Sequence, residues 1–130
     1  MIEDRFTLEK ENLEKALLFT DKACKIINNE RLCYRFRLIY EELITNVFFH
    51  ATKLNATYTN VKAELDKDTI ILIIEYDGGE FDPTKYKTKE NKLPLKERKE
   101  GGLGLFLVFN FAKKLSYERV NGMNILKINI

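Results

Sequence analysis

The sequence predicts an α+β fold, a two-layer sandwich in which three helices cover one face of a mixed, mostly antiparallel sheet. Three observations carry that expectation. Two helical periodicities open the chain, two strand patterns joined by a tight turn follow, and a second hairpin closes it around Asn121-Gly122. Helices segregated from hairpins in this way form layers, because each amphipathic face must be buried against the other kind of element.

The elements follow in order. Arg5-Phe6-Thr7-Leu8 fits a short strand ahead of the first helix. In residues 9–28, Leu13, Ala16, Leu17, Thr20, Ala23, Cys24 and Ile27 recur at three- and four-residue steps, the helical period. Asn28-Asn29 breaks that pattern. A second helix runs from about Arg31 to Thr52, with Phe36, Ile39, Leu43, Val47 and Ala51 as its apolar stripe. After a turn at Asn55-Ala56, residues 58–65 alternate, with Thr59, Val61, Ala63 and Leu65 on one side. Asp66-Lys67-Asp68 is a hairpin turn. Residues 69–76 are β-branched and almost continuously apolar, which marks a central strand. Residues 84–100 hold seven Lys or Arg and three Glu without apolar periodicity, so they read as a long functional loop. Gly101-Gly102-Leu103-Gly104 leads into a third helix over about Leu105 to Leu115. Residues 116–120 and 124–129 flank Asn121-Gly122, a strong hairpin signal.

At 130 residues the chain supports one domain, 1–130, with one core. Twenty-two basic residues against 20 acidic ones leave a net charge of +2. That balance excludes a disordered chain, an acidic tail protein and a dedicated basic nucleic-acid coat. Direct nucleic-acid binding by the basic loop is disfavoured too, since Glu90, Glu97 and Glu100 interleave its cations and only Tyr86 could stack. The N-terminus is polar and no apolar run, Ile70 to Ile74 among them, exceeds five residues, too short to span a membrane. The expectation is a cytoplasmic protein without membrane contact, in which Cys24 and Cys33 stay reduced. A lone histidine, His50, excludes a His-rich metal site.

Three segments carry chemistry. Glu42, Asn46 and His50 stand four apart and share one helix face. A carboxylate there can act as a general base and an amide oxygen can ligate Mg²⁺, although a solvated polar face has the same spacing. Asp77-Gly78-Gly79 ends the central strand. Its carboxylate can accept from an exocyclic amine while glycine lets the backbone approach a planar ring, and the same residues also make an ordinary turn. Gly101-Gly102-Leu103-Gly104-Leu105 offers backbone N–H groups and a helix N-terminus to an anion, with Lys96, Arg98 and Lys99 just upstream, or serves as a plain linker. It is not the Walker-type loop, because no Lys-Ser/Thr follows the last glycine.

In this order and spacing the three segments resemble the Bergerat-fold (GHKL) ATPases, and among them the small bacterial anti-sigma-factor serine/threonine kinases with their histidine-kinase-like ATPase domain. Glu42-Leu-Ile-Thr-Asn46 through His50-Ala51 looks like their N box, Asp77-Gly-Gly-Glu-Phe81-Asp82-Pro83 like the first glycine box, and Gly101 to Val108 like the second. The resemblance implies that Glu42 is the general base, that Asn46 binds Mg²⁺, and that His50 lies close to the phosphates of ATP. Asp77, Gly78 and Gly79 would hold adenine, residues 84–100 would be the ATP lid, and Gly101 to Leu105, with Lys99, would wrap the phosphates. It also implies a sigma factor and a small antagonist protein as partners, phosphorylation of that antagonist, and pairing as a homodimer.

Two registers are available in the first box. Aligning on Phe81-Asp82-Pro83 places Tyr76 at the adenine position, and aligning on the glycines places Asp77 there. One residue of slip reverses the face, unless a bulge corrects it. Beside the kinase stand two other readings, a non-catalytic regulatory module of the same fold and the catalytic half of a two-component histidine kinase. Length, and the lack of a phosphoacceptor histidine in residues 1–30, count against the last.

Overall fold

The computed structural model of the protein describes residues 1–86 and 110–130. Strand β1 (Ile2–Thr7) is followed by a 3-10 turn (Lys10–Asn12) and by helices α1 (Leu13–Leu17), α2 (Phe19–Ile26) and α3 (Glu30–Phe49). A second 3-10 turn (Ala51–Leu54) leads to β2 (Tyr58–Asp66) and β3 (Thr69–Tyr76), and a third spans Pro83–Tyr86. Strands β4 (Lys114–Val120) and β5 (Met123–Asn129) close the chain. The sheet order is β1-β2-β3-β5-β4. Every pairing between these strands is antiparallel, so the parallel component of the expected mixed sheet is not present among the described residues.

The apolar run 69–76 occupies the middle of the sheet, as its composition requires. Ile70, Leu72, Ile74 and Tyr76 turn to the helices and are fully buried. They meet the inner face of α3, where Phe36, Ile39, Tyr40, Leu43, Ile44, Val47 and Phe48 are buried at helical spacing. Burying one such side chain contributes roughly 1.5–3 kcal/mol, which makes this interface the main support of the fold. The Asn29 side chain caps α3 by accepting from Leu32 N–H at 3.0 Å.

The structure departs from the sequence reading in several places, with β1 beginning at Ile2 and α3 ending at Phe49 rather than near Thr52. The first helix breaks at Leu18 into α1 and α2, where the Thr20 hydroxyl donates to the Leu17 carbonyl at 2.9 Å and competes with the backbone ladder. The third helix does not reach Leu115. Its described end is Asn110-Phe111, and β4 begins at Lys114, which pairs with Asn129. The expected helix over 105–109 lies outside the described residues. Leu65, placed on the buried side of its strand, is 39% exposed because β2 extends past the core near its hairpin.

Cys24 and Cys33 correct another expectation. They form a disulfide between α2 and the first turn of α3, with Cα atoms 5.4 Å apart. The Ile27-Asn28-Asn29 turn folds one helix back on the other, a long-range consequence that nine residues of spacing do not announce.

Candidate functional site

The polar face of α3 keeps its predicted alignment. Glu42 and Asn46 are half-buried beside the apolar stripe, and Asn46 Nδ2 donates to Glu42 Oε1 at 3.3 Å. Burial pushes the Glu42 carboxyl up, only partly offset by that hydrogen bond. A carboxylate so placed is a stronger proton acceptor than an exposed one. Its neighbour Glu41 is exposed, about 100° around the helix. With its amide nitrogen engaged by Glu42, Asn46 keeps Oδ1 as a hard oxygen donor. His50 caps the C-terminus of α3, where its backbone N–H donates to the Asn46 carbonyl at 2.8 Å. Burial, then the Lys53 charge, lower the His50 pKa, so the ring is neutral at pH 7.

The 3-10 turn after α3 carries the loop that follows β3. Asn55, in the left-handed region at φ 70°, ends the turn. Gly79 N–H then donates to the Leu54 carbonyl at 2.7 Å. At Gly78, with φ +86°, an added Cβ would stand 2.5 Å from Ala56 N and 2.8 Å from the Leu54 carbonyl oxygen. This glycine is required twice, by its backbone conformation and by close approach. His50 and Phe81 face one another with ring centroids 6.1 Å apart. The end of α3 and the first glycine segment therefore form one assembly.

Tyr76 and Asp77 take opposite sides of that assembly. Tyr76 is fully buried, and its hydroxyl donates to the Phe81 carbonyl at 2.6 Å. The Asp77 carboxylate is turned to the start of β2, where it accepts from Thr57 N–H at 2.6 Å, from the Thr57 hydroxyl and from Tyr58 N–H at 3.0 Å. Partial burial raises its pKa, but these hydrogen bonds outweigh burial and hold it below the ordinary carboxylate value. The structure places Tyr76 on the inner face and turns the Asp77 carboxylate to β2, because strand alternation reverses the side and the bonds to β2 fix it.

A depressed carboxyl stabilises the fold above its unfolded pKa, and that contribution is lost as pH falls through the folded value. Asp77→Asn is therefore expected to lower stability by about 1 kcal/mol at pH 7, discounted for exposure. The gap from wild type should narrow as the pH falls below the usual carboxylate range. Urea unfolding at pH 7 and pH 3 checks this. A gap as wide at the lower pH as at pH 7 would contradict it.

Asn124 was not singled out by the sequence and is the hub of this region. It is fully buried on β5. Its Nδ2 donates to the carbonyls of Tyr76, Asp77 and Gly79 at 3.2, 3.3 and 3.1 Å. Its Oδ1 accepts from Phe81 N–H at 3.1 Å, from the Tyr117 hydroxyl and from Arg119 Nη1 at 3.2 Å. Arg119 Nη2 also donates to the Gly78 carbonyl at 2.9 Å. One signal was legible: Asn124 has the strand parity of Leu126 and Ile128, and a polar group on a buried parity must be satisfied.

Lys99, Gly101, Gly102, Leu103, Gly104 and Leu105, and the lid beyond Tyr86, lie outside the described residues. The described start of that loop is the turn at Pro83, where Asp82 Oδ1 accepts from Thr84 N–H at 2.9 Å. Among the described residues no group of three metal-ligating side chains exists. Asn46 Oδ1 fits Mg²⁺ as one hard oxygen ligand, since that ion takes few protein oxygens and completes its shell with phosphate and water. Among the described residues no helix is long and apolar enough to cross a membrane.

The family model for the histidine kinase-like ATPase domain matches residues 6–130. No curated protein matches. Among solved structures, the catalytic domain of histidine kinase ThkA in a nucleotide-free form superposes with a TM-score of 0.53 at 17% identity, covering 100% of this chain and 97% of that one. Acinetobacter baumannii histidine kinase AdeS gives a TM-score of 0.50 at 14% identity, covering 100% of this chain and 68% of that one. At such identities the likeness concerns the fold.

Proposed function

Because the chain belongs to the histidine kinase-like ATPase domain family, we propose that it is an ATP- and Mg²⁺-dependent protein kinase. Its substrate is a serine or threonine of a small antagonist protein, and it acts as an anti-sigma factor or a similar partner-switch regulator in the cytoplasm. Family membership itself carries ATP binding and phosphotransfer of the GHKL kind. The kinase reading rests chiefly on the Glu42–Asn46 pair, half-buried on one face of α3 with the carboxyl pushed up.

In this reading Asn46 would hold Mg²⁺ through one oxygen, and the ion would supply charge neutralisation of the phosphates. Glu42 takes the proton from the attacking hydroxyl, and the end of α3 with His50 borders the phosphates. The loop Asp77–Phe81 forms the base end, with Asp77 shaping the loop through Thr57 and Tyr58. Asp77→Asn should therefore weaken ATP binding only through the shape of that loop, by less than the loss of a direct contact to the base would. Lys99 and Gly101 to Leu105 are assigned to the phosphates by resemblance. Sigma factor, antagonist and a homodimeric state belong to the same proposal.

The second reading, a non-catalytic regulatory module, is favoured by the buried Tyr76 where the register expects an acceptor. Phosphate transfer from labelled ATP to candidate antagonist proteins of the same genome separates the two. Acid-stable label on serine or threonine supports the kinase. Acid-labile label would place the acceptor on histidine, and the absence of label with intact ATP binding would support the module.

A further inference from the structure

We propose that Cys24 and Cys33 form a reversible thiol–disulfide site that exchanges with small-molecule disulfides of the glutathione class. The proposal is independent of the nucleotide chemistry. The two cysteines lie on facing elements, α2 and α3, with Cα atoms 5.4 Å apart, within the range a disulfide spans without backbone movement. Both are half-buried, so a small reagent reaches them. They line a surface pocket with Ile27, Asn28, Asn29, Glu30, Tyr34 and Arg37, which gives that reagent a place to approach.

Cys33 is the fourth residue of α3, a helix of 20 residues with a side-chain cap at Asn29. The positive end of such a helix favours a thiolate. Cys24 sits near the C-terminus of α2, where the dipole disfavours one. Cys33 is therefore the attacking sulfur. Its thiolate attacks one sulfur of the reagent and breaks the reagent's S–S bond, which releases one thiol and leaves a mixed disulfide on Cys33. The Cys24 thiolate then attacks the Cys33 sulfur and expels the second thiol. Two protein thiols lose two electrons and two protons, and the reagent's two sulfurs gain them. Closure joins residues nine apart in sequence, which restricts the unfolded chain and clamps the α2–α3 turn.

The test uses the full chain equilibrated with oxidised or reduced glutathione, then denatured and alkylated for mass measurement. Oxidised glutathione should leave no alkylatable thiol in a monomeric chain, and excess reduced glutathione should restore two. The oxidised form should melt about 10 °C above the reduced one. Cys24→Ser should trap one glutathione on Cys33, and more readily than Cys33→Ser traps one on Cys24. Two thiols that survive oxidised glutathione, or a bond that resists excess reduced glutathione, would overturn the exchange site. Equal melting temperatures would overturn the clamp. Faster trapping on Cys24 would overturn the assignment of the attacking sulfur.

Discussion

Asn124→Ala is expected to destabilise the protein by about 3 kcal/mol, the largest effect of any single side chain outside the apolar core. The fully buried amide serves three carbonyls of the loop after β3 and accepts from Phe81 N–H, Tyr117 and Arg119. Alanine leaves several of these groups buried without partners, and each costs about 1–3 kcal/mol unless water enters. For a domain of this size the thermal midpoint should fall by about 10 °C. Tyr76→Phe removes one hydroxyl that donates to the Phe81 carbonyl and should cost only about 1 kcal/mol. Thermal unfolding followed by circular dichroism compares the two. A midpoint for Asn124→Ala within about 2 °C of wild type would mean that the loop holds its shape without the amide.

Glu42→Ala is expected to slow phosphate transfer by about 100- to 10,000-fold, the usual contribution of a positioned general base. ATP affinity should stay close to wild type, because the carboxylate acts on the nucleophile. Asn46→Ala should reduce both transfer and Mg²⁺-dependent affinity. Glu41→Ala, on an exposed neighbour, should change neither. The wild-type rate should fall with acidification while the pH is still above the ordinary carboxylate range, since burial raises the Glu42 pKa and the base works unprotonated. Transfer assayed across pH checks both the size and the sign. A Glu42→Ala rate equal to wild type would remove the base assignment.

Particular residues show what the sequence reveals and what it hides. The stripe Phe36, Ile39, Leu43, Val47 and Ala51 is buried as its spacing dictates, because a 3.6-residue period leaves one solution for a helix on a sheet. The β-branched run 69–76 lies in the middle of the sheet for the same kind of reason. Glu42 and Asn46 meet because four residues make one helical turn. Contacts set by the folded path were not legible. Thr20 breaks the first helix by choosing a carbonyl, and Cys24 meets Cys33 only after a turn reverses the chain. Asp77 is drawn to Thr57, distant in sequence, and Asn124 satisfies a loop more than 40 residues away. The same Asp-Gly-Gly letters allow either side of the strand, and the hydrogen bonds to β2 decide between them.

Calorimetric titration of the chain with ATP, in the presence and absence of Mg²⁺, tests the central claim most directly. Asn46 supplies one oxygen and phosphate must supply others, so the metal should raise affinity at least about tenfold. Saturable binding that strengthens with Mg²⁺, and loses that dependence in Asn46→Ala, is the predicted result. No detectable heat at millimolar ATP, with or without the metal, would contradict it.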